Sequence, residues 1–457
     1  MLVGAALMVG FQIISIQSAF KSINLDVIGF LFGMFSIVSA LDKSGVLKIV
    51  STKMLSKARN NPDLILMVFV VGMGLLSAFL VNDTIALLGI PLVVHVSKRI
   101  GIRSPILLIA LSFGITIGST MTPIGNPQNL LIALQSGIPL PFITFLRYLA
   151  IPTIVNLFLT YFILKLYYRK ELLFSLSYTI KPTTARNIQR YPNAKKQQPA
   201  GEDSLISDGY DDDKSIIKDY TSKKDVDISD LATEEGPKIT NPRLAKISIV
   251  VLFITLAGFI ISDILQFAYH TTTNLSLSII AMLGGTALYA LSKERREILA
   301  SVDYSVLVFF AAMFVFTYGL WSSGIISLVT SYFPTPDKHD PFQSNAAIST
   351  ISIALSQILS NVPFVAIYNT VMINNGFANG DHNGGGGSNS NTSQWMMLAA
   401  ASTIAGNLTI LAAASNIIII EAAESRGIKA YTFFEYFKIG AIVTLANVIV
   451  YYLFLLL

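Results

Sequence analysis

Nine stretches of this sequence are apolar and long enough to cross a membrane, and they constrain its fold more than any other feature. Crossing about 30 Å of hydrocarbon takes roughly 20 helical residues. The stretches lie near 1–17, 23–41, 104–134, 144–168, 246–263, 276–291, 303–320, 395–420 and 432–457. In lipid, a helix satisfies every backbone hydrogen bond within its own segment. We therefore predict an all-α integral membrane protein. The first stretch lacks a basic region and a cleavage motif, so we expect it to remain as a span.

The composition agrees with a membrane protein and disfavours several function classes. Hydrophobic residues make up 53% of the chain and charged residues only 13%, about half the charged fraction of a soluble domain. Most basic residues lie between apolar stretches, where they report orientation, so we expect no nucleic-acid partner. Because the chain has no cysteine and its four histidines do not cluster, we expect neither an enzyme nor a resident cofactor.

Two further apolar segments are interrupted by polar residues halfway along. These interruptions favour a helical hairpin that enters the membrane and returns to the same side. Segment 62–97 is interrupted by Asn82, Asp83 and Thr84, and segment 344–373 by Ser360, Asn361 and Pro363.

Two of the long stretches are also interrupted. Stretch 104–134 exceeds one crossing and carries two prolines and two glycines at its middle, which forbid a continuous helix. We predict broken helices there and in 395–420. The polar residues of the breaks are Thr122, Gly125, Asn126 and Asn129, and Thr409, Ser415 and Asn416. Backbone groups freed at membrane depth cost several kcal/mol each unless protein or a filled cavity satisfies them. The breaks therefore predict a site, although the same residues could simply cap or connect helices.

The two halves of the chain align with each other. Residues 25–82 align with residues 304–361 at a constant offset of 279, and beyond the hairpins the offset is 287. The matched polar pairs are Asn82 with Asn361, Thr122 with Thr409 and Asn129 with Asn416. Polar residues that match inside apolar runs are not explained by apolar composition alone. We predict two repeats, 1–170 and 244–457, joined by a linker at 171–243.

The basic loops orient these repeats. Of the 32 Lys and Arg residues, only Lys21, Arg147 and Lys338 fall on one face, so the opposite face is predicted to be cytoplasmic. Hairpin 62–97 then opens to the cytoplasm and hairpin 344–373 to the outside, which makes the repeats inverted. The polar linker cannot bury a core, so we expect it to be disordered, and we place it on the cytoplasmic side. The membrane itself is predicted to be the cytoplasmic membrane of the cell.

Asp83 is the one acid near the centre of an apolar segment, whereas Asp263 sits at the end of a span. An aspartate at the membrane centre costs about 2.5–3.5 kcal/mol on insertion scales. The equivalent position in the second repeat is Val362. This asymmetry suggests one cation or proton site in the first half. The alternative is a buried acid satisfied by local N–H groups.

Three motifs resemble those of the ion transporter superfamily, in its branch of arsenical pumps, citrate permeases and related anion permeases. They are FLVNDTIAL at 79–87, TPIGNPQN at 122–129 and SQILSNVP at 356–363. The resemblance implies two re-entrant hairpins and two unwound helices around substrate and coupling ions, with elevator-type transport. It implies a Na⁺ site at Asn82, Asp83, Thr84, Gly125 and Asn126, and a second set at Ser360, Asn361, Pro363, Thr409 and Asn416. In the dicarboxylate branch both hairpin tips read Ser-Asn-Thr, whereas here they read Asn-Asp-Thr and Ser-Asn-Val.

The leading hypothesis is a secondary active transporter of a small anion: an inorganic oxyanion, arsenite or a carboxylate such as citrate. Coupling to Na⁺ or H⁺ and alternating access are expected. The runner-up is a Na⁺/H⁺-type cation antiporter, and a channel is disfavoured because the breaks are paired and do not form a ring of filter residues. The expected partners are the lipid bilayer and the anion, and a homodimer is compatible with the sequence.

Overall fold

The described part of the chain is helical and contains no strand. The computed structural model describes residues 1–58, 61–173, 239–269, 276–326, 336–337, 340–377 and 391–457. Most of the predicted linker, 171–243, lies outside these ranges.

The helices are numbered here in chain order. The first half contains α1 Leu2–Gly10, α2 Ile16–Ser22, α3 Leu25–Lys43, α4 Val46–Lys57, α5 Pro62–Ser77, α6 Asn82–Ile100, α7 Ser104–Ser119, α8 Pro127–Gln135 and α9 Pro141–Tyr167. The second half contains α10 Pro242–Tyr269, α11 Leu277–Leu291, α12 Arg295–Ala300, α13 Tyr304–Ser322, α14 Pro341–Leu359, α15 Asn361–Met372, α16 Thr392–Ile404, α17 Ala414–Glu424 and α18 Phe433–Leu456. Helix α5 includes a π-helical turn at Val68–Gly72.

Five of the described helices are long and apolar enough to cross a membrane, which makes the chain a multi-pass membrane protein. They are α3, α9, α10, α13 and α18. Helices α5, α7 and α11 are apolar but shorter. The prediction of one helix over 1–17 was wrong, because the chain breaks after Gly10. Gln12 has a φ of 56°, and the Ser15 side chain accepts a hydrogen bond from the Ser18 N–H and starts α2.

The centre of the molecule is built around α7 and α16. In each of these helices nearly every residue is buried. Helix α5 packs on α7, and α14 packs on α16 in the same way. The partly exposed helices α9 and α18 pack against each other and against this centre. A helix that is apolar on all sides belongs in the interior of a membrane bundle, so α7 and α16 hold the elements that flank the breaks.

Glycines allow α5 and α7 to touch along their backbones. A Cβ at Gly118 would lie 1.9 Å from the Gly74 carbonyl oxygen, and one at Gly114 would lie 2.5 Å from that of Val70. Small residues four apart give membrane helices this close approach. These contacts fix α5 against α7.

Asp263, which the sequence analysis places at the end of a span, lies in the last two turns of α10. The helix continues to Tyr269, and the Asp263 side chain is only 3% exposed. Its carboxylate accepts a hydrogen bond of 2.9 Å from the Ile143 N–H in the first turn of α9. A carboxylate at a helix N-terminus is stabilised by the free N–H groups and the helix dipole. Asp263 therefore caps a neighbouring helix.

Candidate functional site

The tip of the first hairpin is bonded to the first broken helix. Helix α6 begins at Asn82, whose backbone N–H donates to the Gly125 carbonyl oxygen at 3.0 Å. The Thr122 hydroxyl donates to the Ala78 carbonyl oxygen. The Asn82 side-chain oxygen accepts from the Asp83 N–H at 2.9 Å. Gly125 is required at the turn, because a Cβ there would lie 2.3 Å from the Ser119 carbonyl oxygen.

Two asparagines hold the break between α7 and α8 in shape. The Asn129 amide donates to the carbonyl oxygens of Ser119, Thr120 and Thr122 at 3.2–3.3 Å. The Asn126 side-chain oxygen accepts from the Asn129 N–H at 2.9 Å, and its amide donates to Ser119. The Thr122 carbonyl also accepts from the Gly125 N–H. The Ser119 and Thr120 carbonyls lose their helical partners at the break, so the side chains replace the missing backbone hydrogen bonds.

The second half repeats this arrangement. Helix α15 begins at Asn361, whose backbone N–H donates to the Ala412 carbonyl oxygen at 2.9 Å. Ala412 stands 287 residues after Gly125, the offset derived from the sequence. The Asn416 amide donates to the carbonyl oxygens of Gly406 and Thr409 at 2.7 and 3.4 Å, as Asn129 does to Ser119 and Thr122. The Thr409 hydroxyl donates to the Gln357 side-chain oxygen at 2.7 Å.

Residues of the two halves meet between the breaks. The Thr403 hydroxyl donates to the Asn129 side-chain oxygen at 3.2 Å, and the Asn126 amide donates to Thr403 at 3.3 Å. The Ser112 hydroxyl donates to the Asn416 side-chain oxygen at 2.5 Å. Helix α17 packs on α6, and α15 packs on α8. The four helices that begin at the breaks are thus brought together across the halves.

The two breaks differ in how completely their buried polar atoms are satisfied. Around the second break, several polar side-chain atoms find no hydrogen-bond partner within the described part of the chain. They are Oδ1 of Asn361, both amide atoms of Asn407, Oγ of Ser415 and Oγ1 of Thr116. A Cβ at Gly406 would lie 3.3 Å from Nδ2 of Asn361 and 3.4 Å from Cγ2 of Thr116, so these residues are neighbours. Buried polar atoms without partners are costly, and at a functional site they are positioned to contact a ligand.

The remaining predicted site residues lie at the hairpin tips. Asp83 and Thr84 are in the first turn of α6 and are half-buried. Among the described residues the ion pairs are Arg103 with Glu435 and Lys165 with Asp63, so Asp83 belongs to neither. Ser360 has a φ of 66°, and its hydroxyl donates to the Ala412 carbonyl oxygen at 2.9 Å. Pro363 is buried in the first turn of α15, where its missing N–H costs nothing.

The oxygens that a cation could contact around the breaks belong mainly to neutral groups. The described residues contain no group of three His, Asp or Glu that could hold a metal ion. Of the residues predicted to bind Na⁺, the Gly125 carbonyl and the Asn126 side-chain oxygen already accept hydrogen bonds from Asn82 and Asn129. The carbonyl, amide and hydroxyl oxygens around the breaks are ligands of the kind that hard cations prefer.

Sequence reasoning missed several residues of this centre. Ser112 and Thr403 connect the halves, and Tyr436 donates to the Gly406 carbonyl oxygen at 3.0 Å. Asn407 directly follows Gly406 in the second break. Asn407 carried a signal, since it is a polar residue inside an apolar stretch. The others are single hydroxyl groups on long helices, and the sequence around them does not indicate which groups they contact.

Broken helices joined by buried amides and hydroxyls, inside a bundle of apolar helices, define a membrane transporter. The sequence model of the family described as Citrate transporter matches residues 1–381. The chain therefore belongs to the citrate transporter family, within the ion transporter superfamily.

Individual relatives agree with this class. An uncharacterized transporter of Mycobacterium tuberculosis is 27% identical over 373 residues, which cover 80% of this chain and 73% of the relative. A silicon efflux transporter of Oryza sativa subsp. japonica is 27% identical over 369 residues, covering 80% of this chain and 74% of the relative. A putative arsB transporter of Dictyostelium discoideum is 29% identical over 171 residues, covering 37% of this chain and 30% of the relative. All three names describe transporters.

Proposed function

We propose that this protein is a secondary active transporter of a small anion, coupled to Na⁺ or H⁺ and operating by alternating access in the cytoplasmic membrane. The observation that carries the proposal is the recurrence of one set of hydrogen bonds at both breaks. The Asn82–Gly125 bond corresponds to Asn361–Ala412, and the Asn129 amide bonds correspond to those of Asn416. Paired broken helices of this kind enclose the substrate in many secondary transporters.

The same recurrence supports two repeats of one plan, and we propose that they are inverted, each with a re-entrant hairpin. Equivalent hydrogen bonds at offsets of 279 and 287 are expected if both halves fold on one plan. The N-terminal caps of α3 and α13 occupy equivalent positions as well. The Asn24 side chain accepts from the Val27 N–H, and the Asp303 side chain accepts from the Val306 N–H. The basic loops argue for opposite orientations of the halves. The inversion would expose one site alternately to each side.

Helix N-termini favour an anionic substrate. Helices α6, α8, α15 and α17 begin at the breaks, and the N-terminus of a helix carries about half a positive charge, which favours an anion beside it. The side-chain oxygens of Asn361, Ser415 and Asn407 have no partner among the described residues, which supports a role in accepting from a protonated group or contacting a small cation. The family description names citrate, and the rice relative is named for silicon efflux. We propose a small oxygen-rich anion such as citrate or an inorganic oxyanion.

The second candidate function is cation/proton antiport, and Asp83 favours it. Asp83 forms no ion pair among the described residues, so its carboxylate could exchange a proton for Na⁺. An antiporter would exchange Na⁺ and protons without any anion, whereas the leading function requires an anion together with its coupling ion, Na⁺ or H⁺.

Flux measurements on purified protein in liposomes test the proposal. Citrate, phosphate and arsenite are supplied one at a time, with Na⁺ and pH gradients imposed independently. We expect saturable uptake of at least one anion, accelerated by one gradient and showing counterflow. Sodium-driven proton movement without any anion would establish the antiporter instead, and flux that neither saturates nor shows counterflow would exclude both carriers.

A further inference from the structure

A long groove on the outer surface of the bundle is separate from the breaks. It lies between α10 and α11, with a volume of about 660 Å³, and its walls are almost entirely apolar. Along α10 it extends from Lys246 to Gln266, which corresponds to about 30 Å at 1.5 Å per residue. Helix α11 forms the second wall from Leu291 to Ile280, over about 16 Å.

The groove is long and its lining is almost entirely apolar, which suits an extended hydrocarbon chain lying along α10. Where α11 forms the second wall, the groove contacts such a chain from two sides. Its two-walled part of about 16 Å matches one leaflet, half of a hydrocarbon core of about 30 Å.

The end of the groove at Lys246 is basic. The Asn241 amide donates to the Glu294 carboxylate at 2.8 Å, which brings the start of α10 beside the end of α11. This end of the two helices carries five basic residues, all exposed, against two acids: Arg243, Lys246, Lys293, Arg295 and Arg296 against Glu294 and Glu297. Within the described residues Lys246 joins no ion pair. A negative group would complement this end.

We propose that the groove binds one anionic phospholipid, with an acyl chain between α10 and α11 and the phosphate at Lys246. The lysine stem lines the groove and its ammonium group reaches the headgroup level, as lysines near the ends of membrane helices do. The walls hold the chain by apolar contact, and the basic end selects the headgroup charge. This site is independent of the proposed transport function.

Native mass spectrometry of the purified protein with added phosphatidylglycerol or phosphatidylcholine of identical acyl chains tests this site. We expect a preference of about fivefold for the anionic lipid, the size of one basic contact at a membrane surface. Lys246→Gln should abolish the preference. Lys438→Gln removes an exposed lysine near the start of α18 and should retain it.

A second pair of variants tests the groove itself. Ala287→Phe fills a groove-lining position and should lower the adducts of both lipids, whereas Ala290→Phe, exposed on α11 outside the lining, should not. Unchanged selectivity in Lys246→Gln, or unchanged adducts in Ala287→Phe, would overturn the proposal. Loss of a dimer in Ala287→Phe with lipid adducts intact would also overturn it, because the groove would then belong to a subunit interface. If Ala287→Phe does not fold, the comparison of lipid selectivity between Lys246→Gln and Lys438→Gln still tests the proposal.

Discussion

Asn129 and Asn407 are both fully buried, but their amide groups are in opposite states. Asn129 donates to three carbonyl oxygens and accepts from Thr403, whereas neither amide atom of Asn407 has a partner in the described structure. A satisfied buried amide stabilises the fold, because its loss leaves partners unpaired at about 1–3 kcal/mol each. An unsatisfied amide contributes little to the fold and is free to contact a ligand.

This contrast gives a paired prediction. Asn129→Ala should lower the free energy of unfolding by several kcal/mol, because each partner left unpaired costs about 1–3 kcal/mol. Asn407→Ala should leave thermal unfolding near that of the wild type and weaken anion uptake about tenfold, the loss of one good polar contact. Thermal unfolding in detergent and liposome flux measure the two effects. Equal destabilisation by both substitutions would show that Asn407 is only structural.

Asp83 and Val362 form a second pair, at equivalent hairpin tips. Asp83→Asn retains the size of the side chain but removes the charge. The protein should insert and bind substrate but lose the dependence of transport on the driving ion, because proton and cation compete for the carboxylate. Val362→Thr, a similar-sized change at the other tip, should preserve that dependence. Flux in Asp83→Asn that still responds fully to Na⁺ or pH gradients would mean that Asp83 is merely a tolerated buried acid.

Single residues were predictable where they interrupt an apolar run. Asn82, Asn129, Asn361 and Asn416 stand out for that reason, and the structure gives them matching hydrogen bonds. Ser112 and Thr403 could not be singled out, because a hydroxyl on a buried helix can bond its own helix and its partner depends on packing. The cap that Asp263 provides to α9 could not be predicted, because it is a contact between elements far apart in sequence.

Among the elements, the packing of α5 on α7 depends on glycine. Gly118→Ala should destabilise the protein by about 1–3 kcal/mol, because its Cβ would lie 1.9 Å from the Gly74 carbonyl oxygen and force the hairpin arm outward. Gly10→Ala is the matched control, since a Cβ there meets nothing within 4 Å. Thermal unfolding measures both. A tolerated Gly118→Ala would mean that α5 and α7 can separate without loss of the fold.

Element boundaries followed from breakers and polar residues, and were missed where neither was strong. Prolines and glycines mark the break between α7 and α8, whereas the turn after Gly10 lies in an apolar run with weak signals. The π-helical turn at Val68–Gly72 has no signature at all. A π-helical turn contains an extra residue and is stabilised by the side chains that pack around it. Those side chains belong to other segments of the chain, so the sequence of the turn alone does not reveal it.

At the scale of the whole molecule, the linker can be shortened. Residues 174–238 are not among those described, while Leu172 is buried and the Thr240 N–H donates to the Ser44 carbonyl oxygen. Replacing residues 180–236 by a Gly/Ser linker of about 20 residues should preserve folding and uptake, because the segment has no periodic apolar face. Gel filtration and liposome flux check this. Aggregation of the shortened protein, alongside a monodisperse full chain, would contradict it.

The orientation of the two halves can be tested directly, because the chain has no cysteine. Single cysteines are introduced at two exposed positions at the open ends of the hairpins, Lys98 in the first and Phe342 in the second. If the halves are inverted, a membrane-impermeant maleimide added to intact cells labels Phe342→Cys and spares Lys98→Cys.

Permeabilised cells provide the control, since both cysteines should then react. The result distinguishes inversion from a parallel repeat, in which both hairpins open to one side and label together. Matching hydrogen bonds at the two breaks are compatible with either arrangement, because a local structure is the same whichever way it points. Only the basic loops separate the two arrangements in the sequence, since Lys and Arg are retained on the cytoplasmic side. Equal labelling of both cysteines in intact cells would therefore remove the basis for alternating access through inverted halves. The matching hydrogen bonds at the two breaks would not be affected by that result.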